Sequence, residues 1–184
     1  MSKKNIIDII IIISILIIAM FYSITNNSFT LRNIGEYYTS ISQQEKAIYF
    51  YIKSAEKGDE IANIHLIYHY TNNKEFEEAY RWIEPLAEKE NSIGLKLKGL
   101  FLIEGIGIKK NVEEGYKYLE KSANKNEKSA MLLAGICKIE NKKNDQDIEI
   151  AKKWLEKAKK IKDDDNKNQK LMKELEELIQ KNEK

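Results

Sequence analysis

Residues 94–118 read GLKLKGLFLIEGIGIKKNVEEGYKY, and this stretch decides the fold. It reads as a helix over about 94–104, a glycine-bearing loop, and a second helix from about 112. Gly105 and Gly107 can take positive φ and end the first helix, and Ile108 can tuck back beneath it. Asn111 is placed to cap the second helix. A helix pair this short cannot bury its own apolar stripe, so it needs neighbours of the same kind.

Those neighbours are in the chain. Cutting it at residues 30, 62, 94 and 130 brings back the same residue types at fixed offsets, with spacings of 32, 32 and 36. Gly35, Ile67, Gly99 and Gly135 fall in the first helix of each unit. Ala47, Ala79, Gly115 and Ala151 open the second helix, followed by Phe50, Trp82, Tyr118 and Trp154. Ala55, Ala87, Ala123 and Ala158 close the unit. The first helices are expected at 30–42, 62–72, 94–104 and 130–140, and the second at 45–57, 75–89, 112–124 and 147–161. Short polar loops, Ser42-Gln43-Gln44 and Thr71-Asn72-Asn73, join the first two pairs. Glycine on one helix and alanine on the next let the two approach closely, at a cost of about 1 kcal/mol in helix propensity per glycine. The aromatics fill the space between layers. The expected architecture is all-α: an α/α solenoid of four repeats (30–61, 62–93, 94–129, 130–165) spanning 29–165.

From 166 the phase continues. Leu171, Met172, Leu175, Leu178 and Ile179 form an apolar stripe, which predicts a C-terminal cap helix within 166–184 closing the open end. Asp163-Asp164-Asp165 reads as charge at the start of that helix, favoured by its macrodipole. The glycine and distal glutamate of a calcium loop are missing.

Residues 94–118, and Ala79-Tyr80-Arg81-Trp82-Ile83-Glu84-Pro85-Leu86-Ala87-Glu88-Lys89, resemble the Sel1-like repeat, a relative of the tetratricopeptide repeat. Ile67 and Lys143 stand where that pattern has glycine. Pro85 is expected to kink its helix locally. The resemblance implies a protein-binding function without catalysis and a concave face lined by first helices. Carried across the repeats, that face is Arg32, Glu36, Thr39, Ile64, Tyr68, Thr71, Lys96, Leu100, Ile103, Leu132, Ile136 and Ile139. Its far end would be apolar and suited to an amphipathic helix of a partner, unless the cap helix at 167–181 covers much of it.

The chain has 184 residues, one proline, eight glycines and a net charge of +2. So little proline and glycine argues against an all-β sandwich with many tight turns. Near-neutral charge, with Arg32 and Arg81 the only arginines, gives no footprint for nucleic acid. Cys137 is the single cysteine, so no internal disulfide can form.

Ile6 to Ile24 is almost wholly apolar, and a helix of that length rises about 28 Å, close to the thickness of a bilayer core. Lys3 and Lys4 precede it, and the positive-inside rule keeps them cytoplasmic. Residues 1–28 are therefore expected to be a cytoplasmic tip, a transmembrane anchor and a linker. The chain would be a single-pass inner-membrane protein with its C-terminal domain in the periplasm. Signal cleavage is the rival reading, and Ala19-Met20-Phe21 puts a bulky ring where a small residue is wanted.

No catalytic or metal-binding set is expected, and no cofactor. His65 and His69 share a helix face at i and i+4, but no glutamate follows His65 and no third ligand is marked. Glu77-Glu78, Glu113-Glu114 and Glu176-Glu177 are adjacent and point to different faces, so they do not form acid–base pairs. Seven of the ten tyrosines lie between 37 and 80, where they serve either as core filling or as an interface. Small Sel1-like proteins with an export signal resemble the immunity proteins that bacteria pair with secreted antibacterial toxins. The expected partner is accordingly another protein, either a toxin or a component of an envelope complex or signalling pathway that the chain scaffolds or regulates.

Overall fold

Asn27, Asp59, Asn91 and Glu127 recur at the repeat spacing, and each turns a side-chain oxygen onto backbone N–H groups where a helix begins. An acceptor there satisfies N–H groups that have no partner within the helix. The helices so started are α2 (Ser28–Ser40), α4 (Glu60–Asn72), α6 (Ser92–Glu104) and α8 (Lys128–Glu140). All begin two residues ahead of the starts expected from the glycine phase. Each is followed by a partner: α3 (Gln44–Ala55), α5 (Phe76–Glu88), α7 (Val112–Asn124) and α9 (Asp145–Lys159). The pairs are preceded by α1 (Lys3–Thr25) and followed by α10 (Asn166–Asn182). This computed structural model describes residues 3–142, 144–163 and 165–183, and among them every regular element is helical. Lys143 and Asp164 lie outside the described residues.

The turns recur as well. Ser42, Lys74, Glu90 and Asn126 sit at positive φ between 55° and 65°, and Gly58 and Gly105 do so at 86° and 73°. Thr71 and Asn72, expected in a loop, are the last residues of α4. The turn comes at Lys74, and the Glu75 N–H closes it on the Tyr70 carbonyl at 2.9 Å. Gly105 ends α6 in the left-handed conformation, and Asn111 caps α7 by accepting from the Glu114 N–H at 3.2 Å. The helix α5 runs through Pro85 to Glu88.

The chain divides into two compact units, residues 1–68 and 69–184, with the division inside α4. In the first unit α2 packs on α3. A Cβ at Gly35 would lie 2.7 Å from the Tyr51 ring, so this glycine makes room for an aromatic side chain. Ser54, fully buried, donates to the Ser28 carbonyl at 2.6 Å and ties the end of α3 to the start of α2.

In the second unit α5 through α9 pack each on the next, and α10 lies on α8 and α9. Gly99 and Gly115 bring α6 and α7 together backbone to backbone. Ala130, Ala134, Ala151 and Ala158 are fully buried. Gly135 does a different job: the space a Cβ would take is filled by Leu175 from α10, at 2.6 Å. The cap helix thus seats its stripe, with Leu175 and Ile179 buried, in the same core as α8 and α9.

Residues 9–13, 15–18 and 20–22 of α1 are exposed apolar side chains. Among the described residues no single helix is long and apolar enough to cross a membrane. Ile9–Ser23 and Ser28–Ser40, bent by 61°, pass that test together by length and composition.

Candidate protein-interaction surfaces

The expected first-helix residues of the first unit form a polar cluster. Arg32 is ion-paired to Asp59 at 3.2 Å and to Glu36 at 3.4 Å, with Phe29 5.0 Å from its guanidinium. Asp59 is the carboxylate that caps α4, so Arg32 joins one repeat to the start of the next. Glu36 also lies 3.9 Å from His65. Thr39 shares a hydrogen bond with the Tyr51 hydroxyl at 3.1 Å, and the Tyr51 ring stacks on His65 at 4.5 Å. Burial pushes the Tyr51 hydroxyl above its ordinary pKa, so it stays protonated and available for that bond. Ile64 is half-buried and Tyr68 is 70% exposed.

Beside this cluster runs a continuous set of aromatic rings. Tyr38 stacks on Phe50 at 5.5 Å, Tyr37 meets Tyr38 edge-on, and Tyr49 meets Phe50 edge-on at 5.2 Å. Tyr37 and Tyr49 are 59% and 56% exposed. Lys46 and Lys53 lie over the Tyr38 and Tyr49 rings. Of the stretch Ile48-Tyr49-Phe50-Tyr51-Ile52, only Tyr51 is buried. The tyrosine excess is therefore divided between core and surface. An exposed tyrosine whose ring is already held by a neighbour loses little entropy when a partner covers it.

In the second unit the expected groove is largely core. Leu132, Ile136 and Ile139 are buried in the cluster that contains Leu175 and Ile179 of α10, and Ile103 is buried in the same cluster. They offer no groove to a partner, because the cap helix joins their cluster and they are buried with it. Thr71 and Leu100 are half-buried. Lys96 is engaged, 2.9 Å from Glu127 and 2.8 Å from the Ser129 hydroxyl. Burial alone would raise the Glu127 pKa. Hydrogen bonds from Ser129, Lys96 and the Ala130 N–H outweigh it and hold the carboxyl below its ordinary range.

Instead the second unit opens between α7 and α9, where a cleft of about 600 Å³ is lined by Tyr116, Lys138, Ile150, Trp154 and Lys157 among others. Trp154 Nε1 donates to the Tyr116 hydroxyl at 3.4 Å. Lys138 sits 4.2 Å from the Tyr116 ring centroid and Lys157 4.4 Å from that of Trp154. Burial pushes the Tyr116 hydroxyl up to about 12. Nothing in the residue pattern marks this cleft except the recurring aromatic at Trp154, which repeat reasoning assigns to the core, where it is indeed mostly buried.

The remaining chemistry-bearing residues are dispersed. His69 contacts Asn73 at 3.2 Å and Tyr70 edge-on. Cys137 is buried, and burial raises its thiol to about 11, so it is not an activated nucleophile. Glu78 pairs with Arg81, Glu176 with Lys159 and Glu177 with Lys173. Among the described residues no three His, Cys, Asp or Glu side chains converge as they would on a metal.

The fold is an all-helical, solenoid-like repeat fold. The Sel1 repeat pattern matches residues 33–59, 99–127 and 145–161, so the chain carries Sel1 repeats in these segments. The stretch 79–89, which lies in α5 and its C-cap, falls between the matched segments. Among solved structures the chain is similar to a Sel1 repeat protein from Oxalobacter formigenes, at 22% identity and a TM-score of 0.69 over 77% of this chain. It is also similar to a protective antigen present in uropathogenic Escherichia coli strains that displays an SLR fold, at 23% identity and a TM-score of 0.71 over 87% of this chain. It spans 61% and 35% of those two chains. None of the curated proteins matches it in sequence. Proteins built of Sel1 repeats are protein-interaction modules, in general without catalysis.

Proposed function

We propose that this chain is a membrane-anchored protein-binding module whose task is to neutralise a secreted antibacterial toxin, such as a lipase or wall hydrolase, in the periplasm. Residues 6–24 hold it in the inner membrane, with the N-terminus cytoplasmic and the repeats on the periplasmic side. The observation that carries the binding role is the run of aromatic rings Tyr37, Tyr38, Phe50 and Tyr49 on the α2–α3 helix pair, with Tyr37 and Tyr49 exposed and Tyr38 and Phe50 half-buried behind them. Capture is steric: a preformed surface covers the toxin, and the anchor confines the event to the membrane.

Deleting the gene and growing the strain beside toxin-producing sister cells tests this. The strain should become sensitive and be rescued by the full chain. Rescue should survive His65→Gln, His69→Gln and Cys137→Ala and fail with Tyr37→Ala and Tyr49→Ala combined. Full resistance of the deletion strain contradicts the toxin role. If the chain then purifies with a multi-protein envelope assembly, its role is that of a scaffold or regulator.

A further inference from the structure

We propose that the cleft between α7 and α9 docks an acidic peptide segment of a partner protein. The partner would place an apolar side chain against Tyr116, Ile150 and Trp154, and its carboxylates on Lys153, Lys157 and Lys160. This rests on the binding role above and assigns that role a second, separate surface. All six residues line the one cleft.

The charges around the cleft are unequally satisfied. Glu149 is 2.8 Å from Lys152, Glu156 is 3.3 Å from Lys159, and Glu120 accepts from the Tyr116 hydroxyl at 3.4 Å. Lys138 pairs with Asp147, and Lys152 pairs with both Glu149 and Glu183. Lys153, Lys157 and Lys160 have no carboxylate within ion-pair range among the described residues. Their spacing of four and three places them on one face of α9 and its C-terminal cap. On a chain whose charge is otherwise nearly balanced, this is a local positive rim beside an aromatic floor. Complementary charge steers and selects a negative partner.

The shape favours a peptide over a continuous polyanion or a bilayer. The site is a cleft, and Glu120, Glu149 and Glu156 stand on the same rim. A chain of phosphates or a flat anionic surface would be forced against those glutamates, whereas a peptide spaces its carboxylates to miss them. Lys157 lies across the Trp154 ring, and a partner carboxylate that draws it aside opens that ring to an apolar side chain.

The test uses the full chain, 15N-labelled, in nanodiscs of neutral lipid. Three probes are added separately: a synthetic peptide of glutamate and leucine, its glutamine-for-glutamate counterpart, and phosphatidylglycerol vesicles. The Trp154 indole signal, assigned through Trp154→Phe, should move with the glutamate peptide while that of Trp82 stays fixed. The glutamine peptide, and the Lys153→Glu/Lys157→Glu variant with the glutamate peptide, should each bind about tenfold more weakly, as two lost rim charge pairs imply. An unmoved Trp82 signal in that variant shows that it is folded. No shift, equal shifts with both peptides, or a shift with vesicles alone would overturn the proposal. Toxin protection that persists in the same variant leaves the function proposed above standing, so the two fail separately.

Discussion

The Lys96 ammonium lies 2.9 Å from a carboxylate oxygen of Glu127, and that same carboxylate caps the first turn of α8. Arg32 and Asp59 repeat the arrangement at 3.2 Å one pair of repeats earlier. A basic residue near the start of one first helix thus grips the acidic cap of a later one. The cap is stabilised twice, by the helix N–H groups and by a cation.

Glu127→Gln keeps the shape but removes the charge, and should cost about 1 kcal/mol at neutral pH. The folded pKa of Glu127 is depressed. Its contribution is therefore fully present above the ordinary carboxylate range and is lost as pH falls through the folded value. Thermal unfolding across a pH series should show the difference between wild type and variant shrinking only in acid. A difference independent of pH would contradict this assignment.

Gly99 and Gly115 face each other so closely that a Cβ on either would lie within 2.8 Å of the other's carbonyl oxygen. Neither oxygen can swing away as a side chain can. Gly99→Ala and Gly115→Ala should each lose about 1–3 kcal/mol by overpacking, even though alanine is the better helix former. Gly135→Ala should lose less, because the obstacle there is the far end of Leu175. Denaturant unfolding of the three variants checks the order.

Lys74 holds φ at 62° in the turn between α4 and α5. A side chain in that conformation costs about 1 kcal/mol relative to glycine. Lys74→Gly should therefore raise the melting temperature by about 2–4 °C. A lower melting temperature would show that the lysine side chain contributes something its geometry does not reveal.

A C-terminal tag on the full chain reports its orientation. Protease added outside intact spheroplasts should remove the tag, and carbonate washing should leave the chain in the membrane fraction. A protected tag contradicts a periplasmic domain.

The helix pairs and the cap helix are legible in the sequence because small and aromatic side chains return at fixed intervals. The helix starts are legible too, in Asn27, Asp59, Asn91 and Glu127, but only once capping oxygens rather than packing glycines set the phase. The expected groove fails for a tertiary reason. Leu132, Ile136 and Ile139 are apolar at positions that repeat symmetry puts on a surface, yet they share a core with α10. Periodicity gives the face of a helix but not what a later helix covers. The cleft by Trp154 is hidden for the same reason: Tyr116, Lys138 and Trp154 come from three helices whose relative heights no spacing encodes.

The proposed function requires that this chain grip a protein through its exposed tyrosines. A photo-crosslinking amino acid placed singly at Tyr37, Tyr49 and Tyr68 in living cells reads that contact. Positions Tyr37 and Tyr49 should each give a discrete adduct with one and the same protein, lost when the toxin gene is deleted. Illumination that yields no adduct from any of the three positions, in cells where the chain still protects, would contradict it.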